Sequence, residues 1–425
     1  MTNLNTESRI VQGATAAVRQ PAFIDDNGFS LQSGSEVKSI TTMTFAPDGK
    51  LIVADWKSNA LHALSLPKID TVESGSFNLY GVDNAIAQAL DTESNRVRIG
   101  KAIFSSTLNQ AVLAVEIALE TEVNMAIAIF ASSGKGTLYN LGELIEATVS
   151  LDDTPPEANL WKQISTRSFL VTAMKAYNDE IFVAGLANTD FSSTLRRIPY
   201  PFDGSIATTS VEIYHAVHNQ IETRAPIRAF SIVDLAGSPH ILAAYTCTPL
   251  VTIPIADLKD GAKIKGKTIA ELGYGNTPLD VVPFEVDYQG ETSRWVAIAN
   301  SSRAADLISF DDIVAANKEE GLSTPIRVPF ETRSGVNALQ APITNAVCLA
   351  DQDNRFLLSL RRNPIVGDLQ LVSIRKGAFF RLSDFVNEYD FPNYSYSEDD
   401  PFQQSYIRPF HKMMKTDEGY QELAK

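Results

Sequence analysis

Few residues in this chain stand at spacings that do chemistry. His215 and His218 form an H-x-x-H in VEIYHAVHNQ. On a helix that spacing grips a metal, but on a strand residues three apart face opposite sides. Strand-end or turn histidines are expected. In SSGKGT, Ser132–Thr137, a glycine follows Lys135, where a phosphate loop carries Lys and then Ser or Thr. A turn between strands is expected there. Asp351, Asp353 and Asn354 resemble part of a calcium loop, without its glycine and distal glutamate, and read as a hairpin turn. The chain has no G-x-S-x-G elbow, no H-E-x-x-H and no C-x-x-C. Its five histidines leave few general bases.

The elements that position side chains are strands. Short β-branched and apolar runs recur between Gly, Pro, Asn and Asp clusters, which is the all-β pattern. The clearest unit is ITTMTFAPDGKLIVADWKSNALHALSL, residues 40–66. Proline presets one turn dihedral and glycine admits positive φ, so the PDG turn makes a hairpin. Similar units begin near Val37, Arg96, Arg167, Arg224, Pro278 and Arg333, 54 to 71 residues apart. STR at Ser165–Arg167 and ETR at Glu222–Arg224 and Glu331–Arg333 mark three starts, and Asn276-Thr277-Pro278 keeps the threonine. FLVTAM, IRAFSIV, LDVVPFEV and VNALQAP follow as inner strands. The second unit contains VLAVEIALETEVNMAIAIF, read as two strands rather than a helix. Thr223-Arg224 and Thr332-Arg333 are expected to bridge neighbouring units through forked hydrogen bonds.

Four strands in each of six units is the plan of a six-bladed β-propeller. It is expected over residues 1–376, with a C-terminal extension over 377–425. A closed ring removes exposed strand edges, so the N-terminal stretch near Ala22–Leu31 is expected to complete the last blade. In a propeller each inner strand delivers a side chain to the channel mouth. Thr42, Arg228, Asp280 and Asn337 are the ligand-binding candidates at inner-strand starts.

The unit at 40–66 resembles an NHL-type repeat: an apolar strand, a PDG turn, a VAD strand and a final aliphatic strand. The six-unit ring is similar to the group that includes gluconolactonase-like, paraoxonase-like and strictosidine-synthase-like proteins. That resemblance implies a calcium-type ion at the channel in the hydrolytic members, held by Glu, Asn and Asp from inner strands. In the lactonase-like members an Asn often precedes the strand entering the PDG turn; in this chain the stretch is Ile40-Thr41-Thr42-Met43. The metal ligands the resemblance implies are therefore Asp280 and Asn337. The stretch from VAGLANTDFSSTLRRIPYPF to IANSSRAADLISF is similar to bacterial propellers and brings no activity with it.

The net charge of −15 opposes the counterion-releasing contacts that nucleic acid needs, so neither nucleic acid nor membrane is an expected partner. No secretory leader or membrane span is visible, and a cytoplasmic location is expected. Cys247 and Cys348, both in apolar runs, are expected as buried free thiols. The segment 377–425 is acidic with eleven aromatic residues, which disordered tails lack; it is expected to dock. A binding or scaffold propeller follows, using channel and tail to hold a protein partner or small molecule without a cofactor. The alternatives are a lactonase- or esterase-type hydrolase with a central divalent cation, or a metal-free lyase or cyclase.

Overall fold

The run LIVAD shows how these residues make a blade. Leu51–Asp55 and Ala60–Leu64 are buried along their whole lengths, so both faces of this hairpin need a neighbouring sheet. Gly49 sits at φ +85°, a conformation without steric cost for glycine, and donates its N–H to Ala46 O at 2.9 Å. Asp55 accepts from the N–H groups of Lys38 at 2.7 Å and Lys57 at 3.1 Å. The acid of the VAD signature is thus a structural tie between strand end and incoming chain.

The computed structural model describes residues 36–377 except 68–71, 73–74, 121, 161–162, 289–290 and 328–330, together with 21–23 and scattered positions from 397 to 408. Six sheets form six blades, each with its strands named from the innermost outward. Blade I is Met43–Phe45, Leu51–Asp55, Ala60–Leu64 and Ile145–Ser150. Blade II is Val97–Ser105, Gln110–Ala118, Val123–Phe130 and Lys135–Asn140, with Ala22–Phe23 added in parallel. Blade III is Ala173–Tyr177, Glu180–Leu186, Ser193–Pro199 and Ala207–His215, edged by Gln220–Glu222. Blade IV is Ile227–Leu235, Ser238–Tyr245, Pro249–Pro254 and Lys267–Glu271, edged by Ser334–Gly335. Blade V is Pro278–Tyr288, Glu291–Asn300, Ala305–Ser309 and Leu339–Ala341. Blade VI is Ala346–Asp351, Phe356–Arg362, Leu369–Arg375 and Asn78–Tyr80. The fold is a six-bladed β-propeller.

The blades do not follow one another around the axis in chain order. The inner strand of blade I lies between those of II and III, and that of blade VI between those of V and II. The ring reads II, I, III, IV, V, VI, with the first two units exchanged. The apolar clusters agree. Ile52, Ala54 and Leu61 of blade I pack with Ile181, Val183 and Ile198 of blade III. Val97 and Ile99 of blade II pack with Leu358 and Leu360 of blade VI. Burying each such valine, leucine or isoleucine side chain stabilises by about 1.5–3 kcal/mol. The chain leaves blade I, lends Asn78–Tyr80 to blade VI, builds blade II between them, and returns to edge blade I with Ile145–Ser150.

Two expectations about strands need correction. The strand completing the last blade is Asn78–Tyr80, paired with Leu369–Arg375; Ala22–Phe23 pairs with Lys135 and Gly136 of blade II, and 24–31 lie outside the described residues. The segment after Arg333 is not an inner strand. Ser334–Gly335 edges blade IV and Leu339–Ala341 edges blade V, while the inner strand of blade VI begins at Ala346. Residues 110–130 do form two strands.

Residues Arg19–Lys376 make one compact unit. The expected docking of the aromatic tail falls outside the described residues. Among these, no helix is long and apolar enough to cross a membrane.

Candidate functional site

All six inner strands line one central cavity of about 500 Å³. Its charged side chains are Lys101 of blade II, Lys175 of III, Arg228 of IV, Asp280 of V and Asp351 of VI. Each is delivered by strand alternation, with apolar neighbours such as Ala102 and Met174 buried.

Both acids are engaged. Asp280 forms an ion pair with Lys101 and accepts the Leu349 N–H at 2.9 Å. Asp351 is 2.7 Å from the Lys376 ammonium. Burial pushes the Asp351 carboxyl above its ordinary value against the pull of Lys376. Burial disfavours the Lys101 ammonium, but the Asp280 charge outweighs it and the net shift is upward.

Two cations are left over. Among the described residues neither Lys175 nor Arg228 has a hydrogen-bond or ion-pair partner. Burial, reinforced by Lys101, holds the Lys175 amine below the usual lysine range. Burial likewise lowers Arg228, whose Nε is buried without a hydrogen bond; its guanidinium lies 5.5 Å from the Phe169 ring centre. Both side chains are half-buried at the channel wall, and charges withdrawn from bulk water are ordinarily paired, so this cavity presents a cationic wall inside an acidic chain. A second recess of about 450 Å³, sharing Asp351, is lined by Asp234, Glu285, Asp287 and Asp353.

Of the residues singled out from sequence, Thr42, Arg228 and Asp280 converge on the channel. Asn337 does not: it is exposed on the segment joining the outer strands of blades IV and V, because the apolar run behind it is an outer strand. Asp280 and Asn337 therefore cannot form the ligand pair that the resemblance implies. An ammonium already neutralises Asp280, so these residues do not fit a calcium-type ion, which takes six to eight oxygens.

Lys101 and Lys175 escaped sequence reasoning. Each is the one charged residue in an otherwise apolar inner-strand stretch, KAIF and AMKAY, and that interruption was the available signal. Cys348 is buried as expected, whereas Cys247 is only partly buried in a turn of blade IV. Arg333 bridges to Asp306 of the next blade at 2.6 Å, but Arg224 is exposed. His215 ends its strand and His218 lies in the following turn, yet the turn brings their rings together, with centroids 4.0 Å apart and planes tilted by 47°.

No family model matches this chain, and no curated protein matches it. Solved structures do. A PQQ-bound aldose sugar dehydrogenase from Streptomyces coelicolor is 9% identical with a TM-score of 0.29, covering 80% of this chain and 95% of that one. Drosophila Semaphorin 1a, extracellular domains 1–2, is 10% identical with a TM-score of 0.35, covering 83% and 90%. The extracellular domain of a putative hybrid two-component system from B. thetaiotaomicron is 10% identical with a TM-score of 0.29, covering 80% of this chain but 39% of that one. Scores this low carry no argument, and the fold rests on the strand order of the six blades.

Proposed function

We propose that this propeller is a binding protein whose central channel holds a small anion, a carboxylate or phosphate-bearing molecule. One observation carries the reading: Lys175 and Arg228 line the cavity without a hydrogen-bond or ion-pair partner among the described residues, while Lys101, Asp280 and Asp351 are already paired. An anion there supplies the missing countercharge, and Arg228 offers a fork suited to planar or tetrahedral oxyanions. Thr42 adds a hydroxyl from blade I.

Calorimetric titration of the full chain with phosphate, phosphomonoesters and mono- and dicarboxylates tests this. One site per chain is expected for at least one anion. A hydrogen bond to a charged group contributes about 1.5–3 kcal/mol, so Lys175→Met and Arg228→Met should each weaken binding roughly tenfold or more. Flat titrations with every anion, or affinities unchanged in both variants, refute the proposal.

A further inference from the structure

Away from the channel, where blade III meets blade IV, four side chains converge whose chemistry is that of a metal centre. His215 closes the strand Ala207–His215. The turn behind it, with Asn219 at φ +51° and the His218 N–H donating to His215 O at 3.2 Å, swings His218 back beside it. Glu222 follows on the edge strand of blade III, and Cys247 comes from the turn joining the second and third strands of blade IV. One ring nitrogen of each histidine and the Cys247 sulfur all lie within 4.8 Å of one another. Glu222 Oε1 is 3.0 Å from His215 Nδ1 and 2.6 Å from His218 Nδ1.

The surroundings fix which atom of His215 faces the cluster. Thr248 gives its hydroxyl proton to Glu271, which also accepts the Ala216 N–H at 2.7 Å. The Thr248 oxygen is then an acceptor for His215 Nε2–H, 3.1 Å away. A neutral imidazole held at Nε2 presents a lone pair at Nδ1. That Nδ1 is buried and makes no hydrogen bond, although a carboxylate oxygen stands 3.0 Å off. In the metal-free chain a proton on Nδ1 joins the two as an ion pair, and a metal ion bound there takes the place of that proton. A metal-bound histidine usually donates its far N–H to a carboxylate, a carbonyl or water; for His215 the Thr248 hydroxyl, held by Glu271, takes that place.

The geometry points to a zinc-class site formed by His215 Nδ1, His218, Cys247 and Glu222, clamping blade III to blade IV. Two imidazoles, a thiolate and a carboxylate are the ligands zinc prefers. Tetrahedral bonds of about 2.0–2.3 Å put ligand atoms about 3.3–3.8 Å apart. The cluster reaches that spacing by small side-chain movements, chiefly of His218, which is 48% exposed. Binding displaces to solvent the Cys247 thiol proton and any proton held on the two ligating imidazole nitrogens. With four protein ligands the site is closed and structural.

Titrating the tag-free, chelator-treated full chain with zinc against a competing chelator, and separately with cobalt, tests the site. One equivalent of zinc is expected, and cobalt should give a near-ultraviolet thiolate charge-transfer band. Cys247→Ser should abolish the band. His218→Ala, a change at an exposed position that leaves the fold intact, should weaken zinc binding more than about a hundredfold. Thr248→Val, which removes the support of His215 together with the hydrogen bond to Glu271, should weaken it about ten- to a hundredfold. Failure to retain zinc, absence of the cobalt band in the parent chain, or equal zinc affinity in all three variants overturns the proposal.

Discussion

Replacing Asp280 by Asn separates the two jobs of the channel, holding the ring and holding a ligand. The change removes the charge facing Lys101 but leaves an oxygen for the Leu349 N–H. Breaking a buried pair from one side costs about 3–5 kcal/mol. The Lys101 and Asp280 side chains keep 16% and 11% exposure, which places this pair near the lower end, about 3 kcal/mol. At roughly 2 °C per kcal/mol for a large domain, the midpoint of thermal unfolding should fall by about 6 °C. Anion binding should move the other way. Lys101 is freed to join Lys175 and Arg228, adding a charge-assisted contact of about 1.5–3 kcal/mol, so affinity should rise roughly tenfold or more. At a hundred times its Kd the anion should then restore about 2.7 kcal/mol. Scanning calorimetry with and without the anion reads both effects. A variant as stable as the parent, or one that binds the anion more weakly, refutes the reasoning.

Three further outcomes follow from particular contacts. Arg196 is fully buried and donates to Asp153, Leu170 O and Leu186 O; Arg196→Met should destabilise by about 3 kcal/mol in urea unfolding, because the two carbonyls and the 27% exposed Asp153 lose their donor. Ala102 of blade II donates its N–H to the Cys348 sulfur of blade VI at 3.2 Å, so Ala102→Cys should form a disulfide with Cys348 under mild oxidation, detected by non-reducing peptide mapping; no cross-link would contradict the exchanged blade order. Lys175 has a folded-state pKa below its unfolded value, so the unfolded chain binds the extra proton and the site costs stability at neutral pH. That cost vanishes as pH rises through about 10.4. Lys175→Met should therefore unfold at a higher temperature than the parent near pH 7, with the gap closing in alkaline solution; a gap independent of pH contradicts the assignment.

The blade plan was legible because each hairpin carries its own turn chemistry, as in the PDG turn before LIVAD. Ring order was not, because nothing local in Asn78–Tyr80 or Ile145–Ser150 records that each strand pairs with a sheet begun far away in the chain. The same blindness misplaced Asn337: an outer strand and an inner strand of three to six residues have the same alternation. Arg228 and Asp280 were readable as polar residues opening long apolar strands. The Cys247 cluster was legible only in its H-x-x-H, which reads as non-ligating on a strand; His218 turns back only through a positive-φ Asn219, and Cys247 comes from a different blade.

The protonation of Lys175 is the most direct gauge of the channel. In a chain isotope-labelled at the lysine ε-carbons, its resonance, identified by its loss in Lys175→Met, should titrate below those of the surface lysines. Adding the bound anion should move that titration upward, because the new charge favours the ammonium. A Lys175 signal that titrates with the surface lysines, and does so unchanged in the anion's presence, would contradict an unpaired cationic wall awaiting a ligand.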